Sequence, residues 1–292
     1  METILIATDF SSVARNATTY GFELARQIHA KVILFTAYQP PFTMPDSVLY
    51  VTPEDLKRNI YKQLLDEAEA FDPRRTVALQ TESCQGRVAS SIISAAIHHN
   101  ASYIVAGMKE KGKEIRKYFG STVTHLSKTS PVPLIVVPAN AVFSAPKTLA
   151  LASDITDETD IPIIEPLKKL GENFNSTLSV VRVIEKSMDE VVERVVRPES
   201  FKFFLASFHP SYEFVKSENV AKALNEFVKQ HGVDMIAVVL HEHNWFERVF
   251  TKSVTKSLVF LTKVPLLILP FKKINEEEFI RESCGYDLYN MV

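Results

Sequence analysis

The sequence predicts an α/β protein of two similarly patterned domains, each a five-stranded parallel sheet with helices on both faces. Three observations carry this. Short apolar runs of strand length alternate with segments of helical period. The order of these segments in the first half of the chain returns in the second. A chain of 292 residues is also long enough for two ordinary domains, each burying its own core.

The first predicted strand covers residues 4–7 and runs into Thr8-Asp9-Phe10-Ser11-Ser12. Ser11 or Ser12 caps the following helix, where Ala14, Ala17, Gly21, Leu24, Ala25 and Ile28 recur at helical spacing. A second strand is expected at residues 32–35. Beyond a proline-rich loop, a helix starting near Pro53 carries Leu56, Ile60, Leu64, Ala68 and Phe71 along one stripe. Residues 76–80 read as the third strand, and Gly86 precedes a helix with Val88, Ile92, Ala95, Ala96 and His99. His98-His99 complements the helix C-terminus or packs as a ring. The fourth strand, residues 103–106, meets Gly107, a cationic loop and then Gly120-Ser121-Thr122, which opens a short helix with Val123 and Leu126 inward. Pro131 and Pro133 end that helix, and residues 134–137 form the fifth strand. Right-handed crossovers place the helices on both faces of such a sheet.

The register then repeats. Residues 148–154, TLALASD, follow residues 3–9, TILIATD, position by position in pattern. Residues 233–239 and the segment Val264-Pro265-Leu266-Leu267-Ile268-Leu269-Pro270 repeat residues 101–107 and 132–138. A strand at 178–183 and a helix at 219–231 complete the second copy. The expected domains are residues 1–140 and 147–272, joined by a proline-bounded linker and followed by a tail at 273–292.

The bulk numbers exclude several classes. Apolar residues make up 46% and charged residues 23%, a globular composition, and a formal net charge of -2 gives no reason to expect nucleic acid. No membrane span or signal peptide is readable, so the expectation is a cytoplasmic protein. Two distant cysteines, Cys84 and Cys284, point to reduced, structurally minor thiols. No P-loop lysine motif, nucleophile elbow, metalloprotease helix or dehydrogenase glycine fingerprint is present, which argues against a dedicated enzyme.

The chemistry sits between the fourth strand and the fifth. A strand, a glycine loop and a helix whose first amides face that loop suit a phosphate or another anion. With the repeat, these residues resemble the universal stress protein family. The resemblance covers nearly the whole chain, residues 3–270. Its most specific piece is the family's motif Gly-x2-Gly-x9-Gly-Ser/Thr, set here against Gly107-x2-Glu110-x9-Gly120-Ser121. The fold implied is Rossmann-like, of the adenine nucleotide alpha hydrolase type. Domains of that family commonly pair through the outer strand, so the resemblance implies that residues 134–137 face residues 266–269, which would remove an open edge from each copy. The resemblance implies that Asp9 receives adenosine, that Ala37 lines the end of the second strand, and that Gly107, Lys109, Gly120, Ser121 and Thr122 hold the phosphates of ATP or another adenine nucleotide with Mg2+. Glu110 departs from the family by placing a carboxylate where it has its second glycine. Lys109, Lys111, Lys113, Arg116 and Lys117 make the loop cationic, and Gly112 offers a shifted hinge. The alternatives are a loop that is only a solvated basic surface and an Asp9 that only caps a helix.

In the second copy Val239 stands at the place of Gly107, Glu242 at that of Glu110 and Lys252 at that of Gly120, while Ser253 matches Ser121. These side chains are expected to block phosphate, and Asp154 to be structural. The loop His241-Glu242-His243-Asn244-Trp245-Phe246-Glu247-Arg248-Val249-Phe250 reads as surface or interface, with Trp245, Phe246 and Phe250 as contact anchors. Two functions follow. One is a stress-response binding protein with an adenine nucleotide in the first domain, at most slow in ATP hydrolysis and forming a homodimer. The alternative is an interaction or scaffold protein in which both pockets are degenerate and an unknown protein partner docks.

Overall fold

The computed structural model describes residues 1–39, 52–108, 121–152, 158–184, 199–239 and 264–270. Its first half comprises β1 (Thr3–Ala7), α1 (Ser12–Ile28), β2 (Lys31–Tyr38), α2 (Pro53–Phe71), β3 (Leu79–Gln85), α3 (Val88–His98), β4 (Tyr103–Met108), α4 (Ser121–Thr129) and β5 (Leu134–Pro138). The second comprises β6 (Thr148–Ala152), a 3-10 segment at Glu158–Ile164, α5 (Glu165–Phe174), β7 (Thr177–Ile184), α6 (Glu199–Phe204), β8 (Ser211–Lys216), α7 (Val220–His231), β9 (Met235–Val239) and β10 (Leu266–Leu269).

The ten strands form one sheet in the order β3-β2-β1-β4-β5-β10-β9-β6-β7-β8. Each half therefore keeps the same doubly wound order, and every pair is parallel except β5 with β10. At that joint Leu266 pairs with Val136, Leu267 with Ile135 and Ile268 with Leu134. The expected facing of the two final strands is therefore the seam of the molecule. Buried on both faces, these strands are continuous apolar runs rather than alternating ones.

Helices cover both faces. One layer holds α1 and α2 with α5 and α6, through Ala17, Leu24, Leu64, Leu167, Leu170 and Phe201; the core beneath it runs unbroken across the seam. The other layer holds α3, α4 and α7, through Ile93, Val123, Leu126, Leu224 and Phe227. Two polar side chains tie the halves and the connecting segment together. Tyr103 Oη donates to the carbonyl of Pro166 at 2.7 Å, and Asn16 Nδ2 donates to the carbonyls of Pro138 and Ala141 at 2.9 and 3.0 Å.

Two expectations change, the start of the third strand and the state of Cys84. The third strand begins at Leu79, not at residue 76, because Asp72 occupies the segment before it. Its carboxylate accepts from Thr76 N, Thr76 Oγ1 and Val77 N at 2.9, 2.7 and 2.9 Å, which fixes a turn where the strand was expected. His99 is the C-cap of α3, and its Nε2 lies 2.6 Å from Glu82 Oε2 on β3. Cys84 is disulfide-bonded, which corrects the expected reduced thiol.

Candidate functional site at the carboxyl ends of the first-half strands

The strand order reverses direction between β1 and β4, where the crossovers leave for opposite faces and part the elements above the sheet. A cavity of about 240 Å³ sits there, at the carboxyl ends of β1, β2 and β4. Small-molecule sites run from roughly 300 to 1,000 Å³, so this cleft lies somewhat below that range. Asp9, Ala37, Gly107, Ser121 and Thr122 all line it. Five of the seven residues singled out from sequence thus meet around one space. Lys109 and Gly120 lie outside the described residues, as do Glu110 and Gly112.

The turn after β1 is built hydrogen bond by hydrogen bond. Thr8 N donates to the Phe35 carbonyl at 2.9 Å, and Thr36 Oγ1 donates to the Thr8 carbonyl at 2.7 Å, which anchors the turn to β2. Thr8 Oγ1 accepts from Phe10 N at 3.0 Å and donates to Glu67 Oε1 on α2 at 3.0 Å. Phe10 itself is held at φ 60, a left-handed conformation uncommon for a bulky residue. Ser11 is the N-cap of α1, with its Oγ accepting from Ala14 N at 3.3 Å. That task is therefore not Asp9's. Asp9 Oδ1 accepts from Ser11 N at 3.1 Å, and its exposed side chain borders the cavity.

The opposite wall is the first turn of α4, where Ser121, Thr122 and Val123 bring helix N-terminal amides to the cavity. These amides carry positive partial charge and suit an anion. A second helix start is close by. Val88 opens α3 and lines the cavity, and no side chain caps that helix at Arg87. Phe35, Val88 and Ile92 supply apolar wall that sequence reasoning did not assign to the site. The signal was available for Val88, which stands two residues after Gly86 at a helix start as Thr122 does after Gly120.

Gly107 has a physical reason besides the expected one. A Cβ there would meet the Val13 carbonyl oxygen at 2.6 Å and its carbon at 3.0 Å. The missing side chain lets the first turn of α1 lie on β4. At the matching place in β9, Val239 is fully buried in the core shared with α5, so its side chain packs under that layer. Asp154, the loop from His241 to Phe250, Lys252, Ser253 and the tail lie outside the described residues. Among the described residues no group of three or more His, Cys, Asp or Glu could hold a metal ion, and no helix is long and apolar enough to cross a membrane.

A doubly wound sheet with a ligand-sized cleft at its switch point defines a broad class of small-molecule-binding α/β proteins. The comparisons narrow it. The pattern of the universal stress protein family matches residues 1–138. A universal stress protein of Thermus aquaticus is 30% identical over 141 residues, which cover 47% of this chain and 98% of that relative. The chain belongs to the universal stress protein family. Among solved structures, a universal stress protein from Archaeoglobus fulgidus DSM 4304 is similar with a TM-score of 0.72 at 15% identity, over 92% of this chain and 98% of that one. A functionally unknown protein from Pseudomonas aeruginosa PAO1 gives 0.61 at 10% identity, over 96% of both chains. Identities this low speak for the shared fold, which extends over both halves.

Proposed function

We propose that the first half binds an adenine nucleotide and that the protein acts in stress responses through this occupancy rather than through turnover. The observation that carries the reading is the convergence of Asp9, Ala37, Gly107, Ser121 and Thr122 on one cavity at the strand ends. The first amides of α4 and the hydroxyls of Ser121 and Thr122 offer donors to phosphate oxygens. Asp9 accepts from the ribose, and the apolar wall of Phe35, Ala37 and Ile92 receives the base. Lys109 and Gly120 complete the phosphate end, with Mg2+ accompanying the nucleotide. The protein works in the cytoplasm, as a homodimer, with two domains meeting at the seam.

Calorimetry with ATP and Mg2+ on the full chain tests this. Saturable one-to-one heat is expected. Ser121→Asp puts a negative charge at an exposed helix start, where it favours the helix but repels phosphate. This variant is expected to weaken ATP at least tenfold and adenosine far less. An intact, folded chain that gives no heat refutes the reading and leaves the scaffold alternative, in which the fold is kept for a protein partner.

A further inference from the structure

Cys84 is disulfide-bonded, and the chain has one other cysteine, Cys284, in the tail that follows β10. Cys84 stands near the carboxyl end of β3, the outermost strand of the first half, directly across from Ala37 on β2. Ala37 lines the first-half cavity. Cys84 is buried, and its Sγ lies 3.6 Å from Ser91 Oγ on α3. Val88 and Ile92, on either side of Ser91 along that helix, are cavity wall. The helix start beside the sulfur carries no side-chain cap at Arg87, and Val88 is an exposed apolar residue.

We infer that Cys84 and Cys284 form an intrachain disulfide that straps the tail over the start of α3, beside the first-half cavity, and that a dithiol reductant releases it. Opening is thiol–disulfide exchange. The dithiol supplies two electrons and two protons and leaves as its own disulfide, while Cys84 and Cys284 become thiols. A small-molecule disulfide such as oxidised glutathione takes the two electrons and two protons back and departs as two thiols, which remakes the link. In the cytoplasm such a bond is a reversible redox element rather than a permanent staple.

The tail is long enough for this. β10 runs antiparallel to β5, with Ile268 opposite Leu134, so it ends at the amino edge of the first-half strands. Cys84 is at their carboxyl edge, five strands away. With strands about 4.8 Å apart and about 3.3 Å per residue along them, the straight span is about 30 Å. Cys284 comes 15 residues after Leu269, an extended reach of about 50 Å. Cys84 belongs to the core under α3 and α4, so the strap crosses that face of the sheet. A disulfide holds its two Cα atoms within about 7 Å of each other. Glu282 and Asp287 stand two and three residues from Cys284 and arrive with it. Closure therefore brings carboxylates toward the cavity and reduction removes them, a control over phosphate entry that rests on the nucleotide reading.

The test compares the full chain after oxidised glutathione and after dithiothreitol. Non-reducing peptide mapping of the oxidised monomer is expected to give one linked pair of peptides, containing Cys84 and Cys284, that dithiothreitol removes. Amide hydrogen exchange at residues 86–92 is expected to be at least fivefold slower in the linked form. Cys284→Ser leaves Cys84 in place and is expected to exchange at the reduced rate with or without dithiothreitol. ATP is expected to bind the reduced chain at least threefold more tightly than the oxidised one, a difference that Cys284→Ser abolishes. Two free thiols after oxidation, a Cys84 bridge between two copies of the chain, or a link that leaves exchange at residues 86–92 unchanged would each overturn the strap. Equal ATP affinity in both states would overturn its control of the site. Absence of ATP binding in either state refutes the nucleotide reading instead, and mapping and exchange then decide the strap by themselves.

Discussion

Gly107 offers a quantitative test of why a glycine stands at the end of β4. In Gly107→Ala the new Cβ would sit 2.6 Å from the Val13 carbonyl oxygen and 3.0 Å from its carbon. Both are backbone atoms in the first turn of α1, so relief requires moving a helix that also packs on β1 and β5. Overpacking of this kind costs about 1–3 kcal/mol. Replacing a strand glycine by alanine returns about 0.5–1 kcal/mol of chain entropy. The balance is a net loss of roughly 1 kcal/mol, or a thermal midpoint lower by about 3 °C for a chain of this size. Gly21→Ala is the control. Its Cβ would meet Ile6 Cδ1 at 2.6 Å and Cγ1 at 2.9 Å, the far end of a side chain that can rotate. In mid-helix the alanine gains about 1 kcal/mol of propensity, which roughly offsets the crowding. Urea and thermal unfolding of both variants decide the matter. If Gly107→Ala proves as stable as the parent, or more stable than Gly21→Ala, then the glycine is not there to seat α1 and the close-packing account fails.

Leu267→Ala, at the fully buried centre of the β5–β10 seam, should cost about 2–5 kcal/mol in urea unfolding, because the flanking strands cannot collapse into the space. Burial raises the Glu67 carboxyl above its usual range, opposed by hydrogen bonds from Thr8 and Thr18 and by Arg15. A raised folded value means stability that is complete below the unfolded value of 4.5 and is lost as pH climbs through the folded one. Glu67→Gln should therefore gain on the parent as pH rises from the carboxylate range, a trend read from urea midpoints across a pH series. For Asp72, burial acts upward but is outweighed by the bonds from Thr76, Val77 and Arg26, so its carboxyl lies below its ordinary value. Its contribution is present above 3.8 and fades as pH falls through the folded value, and Asp72→Ala should cost about 2–4 kcal/mol at neutral pH but little in acid.

Much of the architecture could be read from residues because the strands are buried on both faces and announce themselves as apolar runs. Periodicity marked α1, α2 and α7, and the caps Ser11 and Asn219 were where short polar side chains precede an apolar stripe. What escaped was decided by contacts distant in sequence. No local pattern says that Asp72 will gather Thr76 and Val77 and delay β3, since residues 76–80 have strand composition. Gly107 carried two meanings, close approach of a ligand and close approach of a helix, and only the position of Val13 brings out the second. Phe35 and Ile92 read as core, which they are, and they become cavity wall only because α4 begins where it does. Glu67 left one trace, a charge in line with Ile60, Leu64 and Phe71, that composition alone would pass over as surface.

The single antiparallel contact between β5 and β10 has a consequence for how this molecule meets its surroundings. Reversal of strand direction there turns the second half end for end, so the tips of β6, β7 and β9 point away from the tips of β1, β2 and β4. A partner that senses an occupant at Asp9 would have to span the protein to touch the corresponding ground in the other half. Visitors to the two poles would arrive independently, and news from one would reach the other sideways, through the shared wall of strands.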